Sequence, residues 1–222
     1  INGLNVTDIY TRQGFSTTPF AFFQEFQVKT GGYSVEFGRS TGGVINAVTR
    51  SGSNELQGGV EVTLEPSAWR ASANNHYHLD GTPHALSSHD QRQFTKTNVW
   101  ASGPVVKDKV FLFAMYEDRD DNPRNTNDLG TRWTNSQADD GFWGAKLDWN
   151  LSDNHLLELL AFSDESETVM SAYNYDFDNR TVGNWQGDTL VDGGGKNWSA
   201  TYTGHFGDNF VAKAMYGKND RN

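Results

Sequence analysis

From residue 56 onward, apolar and polar residues alternate along short stretches of the chain. In 141–151, Trp143, Ala145, Leu147, Trp149 and Leu151 share one parity, while Lys146, Asp148 and Asn150 share the other. Residues 56–65 set Val60, Val62 and Leu64 against Glu61, Thr63 and Glu65. Residues 196–206 set Trp198, Ala200, Tyr202 and Phe206 against Asn197, Ser199, Thr201 and His205. A period of two marks a β-strand whose two faces meet different surroundings. Further strands are predicted over 93–104, 109–119, 155–167 and 209–219, making seven. Residues 1–55 read differently. Apolar runs at Phe20–Phe23, Phe26–Val28 and Val44–Val48 are separated by turns at Gly31–Gly32, Gly42–Gly43 and Ser51–Gly52, as in a small α+β unit with short buried strands.

The connections carry a second pattern. Tight turns are predicted at Val106–Lys109, Ser152–Asn154 and Gly207–Asn209, and long polar loops near 66–92, 120–140 and 168–195. Structureless loops above ~15 residues are uncommon in compact domains. Short turns at one end and long loops at the other are the layout of an outer-membrane β-barrel. Trp100, Tyr116, Trp143, Trp149, Trp198, Tyr202 and Tyr216 then become candidates for interfacial aromatic girdles. A soluble antiparallel sandwich with one wet face shares the strand pattern but not the alternation of connections. The fold class expected is mostly β: part of a transmembrane antiparallel barrel over 56–222, preceded by the α+β unit over 1–55.

Composition narrows the classes. The 222 residues carry a net charge of −10, no Cys and 13% aromatics. An aromatic-rich chain is not disordered, the absence of Cys excludes disulfide and zinc–thiolate scaffolds, and the acidic balance argues against nucleic acid as a partner. The charge is local. Seven acids against three bases give −4 over 117–140, seven against one give −6 over 164–195, and residues 1–55 balance. No apolar run reaches the ~20 residues of a membrane helix.

The residues between Phe20 and Gly58 carry a resemblance. Glu25–Val28, Tyr33 through Phe37–Gly38, Gly42–Gly43–Val44–Ile45–Asn46 and Val48–Thr49–Arg50–Ser51–Gly52 resemble the end of the plug domain of TonB-dependent outer-membrane receptors, running into the first barrel strand. The wording is most similar to the Oar-like (OmpA-related) branch, and Ile1–Asp8 is similar to the strand and turn upstream of it. The resemblance implies a 22-stranded barrel, so about seven strands would make this chain a fragment, with strands 8 to 22 and the front of the plug elsewhere. It implies a Gram-negative outer-membrane location, lipid contact and capture of an unknown ligand at the cell surface. It also implies energy from the inner-membrane TonB complex, whose contact segment is expected outside this chain. The plug motif comprises Gly38, Arg39, Gly42, Gly43, Asn46, Thr49 and Arg50. Gly42 and Gly43 would permit close backbone approach. Val44, Ile45, Ala47 and Val48 would be buried on both sides, and Asn46 and Thr49 would satisfy polar groups along that strand. Arg39 and Arg50 would pair with lumen carboxylates or stand as ordinary surface arginines.

Other constellations are weaker. His76, His78, His84 and His89 share one loop, but solvated loop histidines are the simpler reading and no metal is expected. Tyr173, Tyr175, Phe177 and Trp185 could stack on a ligand. The acidic runs lack EF-hand spacing, and no G-x-S-x-G, H-E-x-x-H or Walker A pattern occurs. The chain is therefore expected to be no enzyme and to hold no cofactor. A soluble or surface-attached sandwich that binds glycans is the alternative function.

Overall fold

The computed structural model describes residues 1–7, 17–32 and 43–221, and they are mostly β with no α-helix. Strands β1 (Phe23–Lys29) and β2 (Val44–Thr49) form one antiparallel pair, and β4 (His76–Tyr77) and β5 (Pro83–Ala85) another. The remaining strands make one nine-stranded antiparallel sheet: β3 (Gln57–Glu65), β6 (Gln91–Val106), β7 (Val110–Asn127), β8 (Arg132–Ser152), β9 (His155–Ser163), β10 (Ser166–Asp176), β11 (Thr181–Gly193), β12 (Gly195–Phe206) and β13 (Phe210–Arg221). Its order is β13-β12-β9-β8-β7-β6-β3, with β10 and β11 continuing beside the far half of β8.

β8 organises the sheet because its 21 residues pair with β9 at one end and β10 at the other. β9 runs into β10 across Asp164–Glu165, and β11 into β12 across Gly194, so each couple is one long strand with a bend. The bends interlock. The Gly195 N–H donates to the Asp164 carboxylate at 3.1 Å, and Gly194 (φ +73°) lies so close to the Asp164 carbonyl that no side chain fits.

Three expectations need correction. Segments 120–140 and 168–195 are not structureless loops: β7 and β8 run on as a paired ladder to a turn at Asp128–Gly130, and β10 pairs with β11 to a turn before Thr181. Their buried positions are polar or small, Thr126, Thr134, Ser136 and Ala172, so burial there leaves no hydrophobic period. The described part of residues 1–55 has two strands and a 3-10 turn at Phe20–Phe22 but no α-helix. Nor is β2 buried on both sides: Ala47 and Thr49 are buried while Ile45 is 50% exposed.

Directly opposed residues in an antiparallel sheet point to the same side, so register sorts the faces. Leu112, Leu147, Leu159, Ala200 and Tyr216 form one continuous row, and Val110, Trp149, Leu157, Tyr202 and Ala214 another. Val99, Tyr116 and Trp143 form a third. This face is exposed, with Tyr116 at 57% and Trp143 at 46%. The opposite face is buried. It carries Phe113, Met115, Phe142, Leu160 and Phe162, but also Asn98, Glu117, Lys146, Asp148, Asn197, Ser199 and Thr201. Trp100, expected in an aromatic girdle, lies on the buried face instead. It opposes Gly59 and Met115 in the register, its ring stacks with Phe113 at 6.2 Å, and Arg50 covers it. On the exposed face the chemistry changes abruptly along each strand. Past Tyr116, β7 continues with Asp118, Asp120, Asn122 and Arg124, and past Tyr216, β13 continues with Lys218 and Asp220.

The N-terminal segment packs on the buried face. Phe22 is fully buried, its ring 5.0 Å from Phe142, 5.9 Å from Phe113 and 6.0 Å from Phe162. Gly144 makes the seat: a Cβ there would strike the Phe22 ring and lie 2.9 Å from Phe142. Replacing Phe22 by Ala should cost about 3–5 kcal/mol, and Gly144→Ala about 1–3 kcal/mol through overpacking. In the Phe22→Ala background the Gly144→Ala penalty should largely vanish, a coupling that thermal unfolding of the four-member mutant cycle will measure.

Candidate functional site

Two arrangements on the molecule can do chemistry or mechanics. The first is the grip between the N-terminal segment and the sheet. Lys146 on β8 is buried, with its Nζ 3.1 Å from Asp148, 3.0 Å from Glu158 on β9, and donating to the Ser51 Oγ at 2.8 Å. One ammonium therefore bridges two carboxylates and holds the strand-to-sheet connection. A second anchor sits higher. The Glu117 carboxylate, 1% exposed, accepts from Arg119 at 2.6 Å, and Arg119 also donates to the Thr17 carbonyl at 2.8 Å. The Thr17 N–H in turn donates to Asp164 at 2.8 Å. Near the tight turns, the Asn54 amide donates to the Asp108 carboxylate at 2.7 Å, and its oxygen accepts the Asp108 N–H at 2.9 Å. Beyond Phe22 the segment also buries Ile1, Leu4, Val6, Phe23 and Ala47 in the same apolar cluster, while the polar contacts of Lys146, Arg119 and Asn54 are ones that water can replace at modest cost.

The motif residues fall partly within this grip. Thr49 is fully buried and exchanges two hydrogen bonds with Asn2, at 2.7 and 3.0 Å. Asn46 is half-buried opposite Gln27, and Gly43 directly precedes β2. The Arg50 guanidinium lies 5.1 Å from the Trp100 ring centroid, a cation–π contact. Gly38, Arg39 and Gly42 lie outside the described residues.

The second arrangement is an open cavity of about 700 Å³ at the end of the sheet remote from the tight turns. Its walls come from residues 67–73, the start of β6, and the far ends of β7, β8, β10 and β11. Trp133 and Tyr175 line it with ring centroids 5.0 Å apart. The Tyr175 hydroxyl meets His89 Nδ1 at 2.9 Å, and the His89 ring lies flat on Phe177 at 4.0 Å. Arg92 makes a bidentate pair with Asp121, both contacts 2.6 Å, and the Thr126 N–H fixes Asp90 at 2.7 Å. The turn that follows is held by Asn179, whose amide and N–H both donate to Asp176 and keep that carboxyl below its usual range.

Of the aromatic candidates, Tyr175 lines the cavity while Tyr173 and Trp185 do not. Those two oppose each other across β10 and β11, and the Trp185 indole donates to Asp188 at 3.0 Å. His76 and His78 lie outside the cavity on the β4–β5 hairpin, where His78 contacts His84 ring to edge at 4.8 Å. Among the described residues no three His, Asp or Glu side chains converge as metal ligands. Lys146, Glu158 and Phe22 escaped the sequence reading. Lys146 did leave a signal, a lone lysine on the inner parity of a strong alternation. The cavity residues Arg70, Trp133 and Arg180 left none, because they meet only through long-range pairing.

No protein-family model matches the chain, and no solved structure matches it. The chain is homologous to the TonB-dependent transporter Oar of Myxococcus xanthus, 38% identical over 117 residues. The matched region is 52% of this chain and 11% of that transporter, so the chain spans a small part of its relative's length.

Two outcomes follow from the geometry. Lys146→Met strands two carboxylates beside Ser51 and should cost about 3 kcal/mol, whereas Ser51→Ala removes one hydrogen bond and should cost about 1 kcal/mol; thermal unfolding separates them. His89 is pushed below its ordinary pKa of 6.5 by burial first and by the Arg180 charge second, with Asp90 opposing. An opened loop therefore takes up the proton more readily than the closed one. The stabilisation is complete above pH 6.5 and declines as pH falls from there towards the depressed folded value. Protection of the amides of residues 86–90, taken relative to their intrinsic exchange rate, should fall over that window, and His89→Phe should remove the dependence.

Proposed function

We propose that this chain is part of a TonB-dependent outer-membrane transporter of the Oar type. In this reading residues 56–222 supply neighbouring strands of its barrel wall and residues 1–55 the end of its plug. The carrying observation is the inverted polarity of the sheet: Lys146, Asp148, Asn197 and Ser199 are buried while Leu159, Trp149, Trp143 and Tyr216 are exposed. A water-soluble sheet turns its apolar face inward. The reverse suits a wall with lipid outside and a polar, filled lumen inside. Trp143 to Leu151 has the length for a membrane that ~9–11 tilted residues cross. The change from aromatic to charged residues past Tyr116 and Tyr216 marks the headgroup level. Homology with the Oar transporter supports the same reading.

Tight turns at 107–109, 153–154 and 207–209 then face the periplasm. The β7–β8 and β10–β11 extensions and the segment 66–92 stand at the cell surface, where they meet the ligand. The N-terminal segment closes the lumen, held by Phe22 and the polar contacts of Lys146 and Arg119. Energy from the TonB complex would displace it, and the polar character of most of those contacts keeps the displacement reversible.

Position along one face provides the test. In the full-length protein, Leu159→Arg at mid-wall should cost about 2–4 kcal/mol of folding in lipid. Gln137→Arg, on the same face beyond the aromatic row, should cost almost nothing. Folded fraction in vesicles, read by heat-modifiable migration, measures both. Full stability in detergent-free buffer with both variants tolerated would instead favour the soluble glycan-binding sandwich.

A further inference from the structure

We propose that the cavity at the far end of the sheet is a binding site for an acidic saccharide, a chain of sugars bearing carboxylates. The inference rests on the surface-capture reading above and deepens it. Three kinds of group in the cavity lining point to this ligand, and its one carboxylate, Asp90, is held by the Thr126 N–H; the volume of about 700 Å³ suits a ligand of a few rings.

The first kind is cationic. Arg70 and Arg180 both line the cavity and are exposed, and neither has an ion-pair partner among the described residues. They differ in this from Arg92, which Asp121 saturates from both nitrogens. In a chain of net charge −10, two unpaired guanidinium groups at one opening stand against the general field. Arg180 is held there by the turn that Asn179 and Asp176 close, with a left-handed backbone (φ +53°). A guanidinium fork matches a carboxylate in plane and charge.

The second kind is aromatic. Trp133 and Tyr175 offer two ring faces inclined at 35° to each other, and Tyr175 is braced by His89, which is itself stacked on Phe177. The C–H face of a pyranose ring lies on such a surface. The third kind is neutral and polar: Ser67, Ser72, Ser88, Gln91 and Asn125. An apolar aromatic acid would satisfy the arginines but leave these hydroxyls and amides without partners, at a cost for each group deprived of water. A ligand dense in hydroxyls pairs them. The combination selects sugar over hydrocarbon and carboxylate over neutral sugar.

The test is equilibrium binding of trigalacturonate to the full-length protein in detergent, followed by tryptophan fluorescence and calorimetry. Its methyl ester, which has the same rings without charge, is the comparison. Expected are saturable binding of the acid, at least ~10-fold weaker binding of the ester, and ~10-fold losses in Arg70→Gln and Arg180→Gln. Trp133→Leu should abolish the fluorescence change and weaken acid and ester alike. Equal binding of acid and ester, or arginine variants that bind as the wild type does, overturns the acidic assignment. No binding of either overturns the site. Vesicle insertion is scored on the same preparation, so failure to bind by a well-inserted protein overturns only the saccharide, while failure to insert overturns the transporter reading.

Discussion

Between Trp143 and Leu151 each outward position of β8 is apolar, and the inward positions run Phe142, Gly144, Lys146, Asp148 and Asn150. Everything else in the molecule answers to that division. Lys146 can stay charged on a buried face only because Asp148 and Glu158 flank it and Ser51 accepts its remaining proton. Leu159 and Trp149 stand on the other face, 40% and 44% exposed. The sheet thus carries its paired charges on the face that the N-terminal segment covers and its aliphatic and aromatic rows on the face left open.

Aromatic and polar contacts share that work unequally. Phe22, wedged over Gly144 between Phe113, Phe142 and Phe162, gives a strong, non-directional hold. Around it Ser51–Lys146, Thr17–Arg119 and Asn54–Asp108 fix register and orientation. Hydrogen bonds that water can replace contribute little net energy each, so these set the seat while the apolar cluster of Phe22, Phe23, Leu4 and Ala47 gives most of the hold.

Much of this was legible in the sequence. The alternation of Trp143, Ala145, Leu147 and Trp149 against Lys146 and Asp148 gives strand and faces together, because a shift of one residue would exchange every side chain between the faces. The tight turns at 107–109, 153–154 and 207–209 were readable for the same reason: each interrupts a clear period. The β7–β8 and β10–β11 extensions are not, since their buried positions are polar or small, Thr126, Thr134, Ser136 and Ala172, and give no hydrophobic period. Trp100 was misread because local parity cannot tell a girdle tryptophan from one seated opposite Gly59 across the register. The cavity was invisible for a deeper reason. Arg70, Trp133 and Arg180 are brought together only by the pairing of distant strands.

The central claim is that one face of the sheet meets lipid and the other does not. Fluorescence quenching by brominated phospholipids, on single-tryptophan variants of the full-length protein in vesicles, tests it most directly. Trp143, Trp149 and Trp198 should be quenched strongly, Trp149 and Trp143 at different bromine depths, while Trp100 and Trp133 are spared. Equal protection of all five, or strong quenching of Trp100, would contradict the assignment of faces and the account built on it.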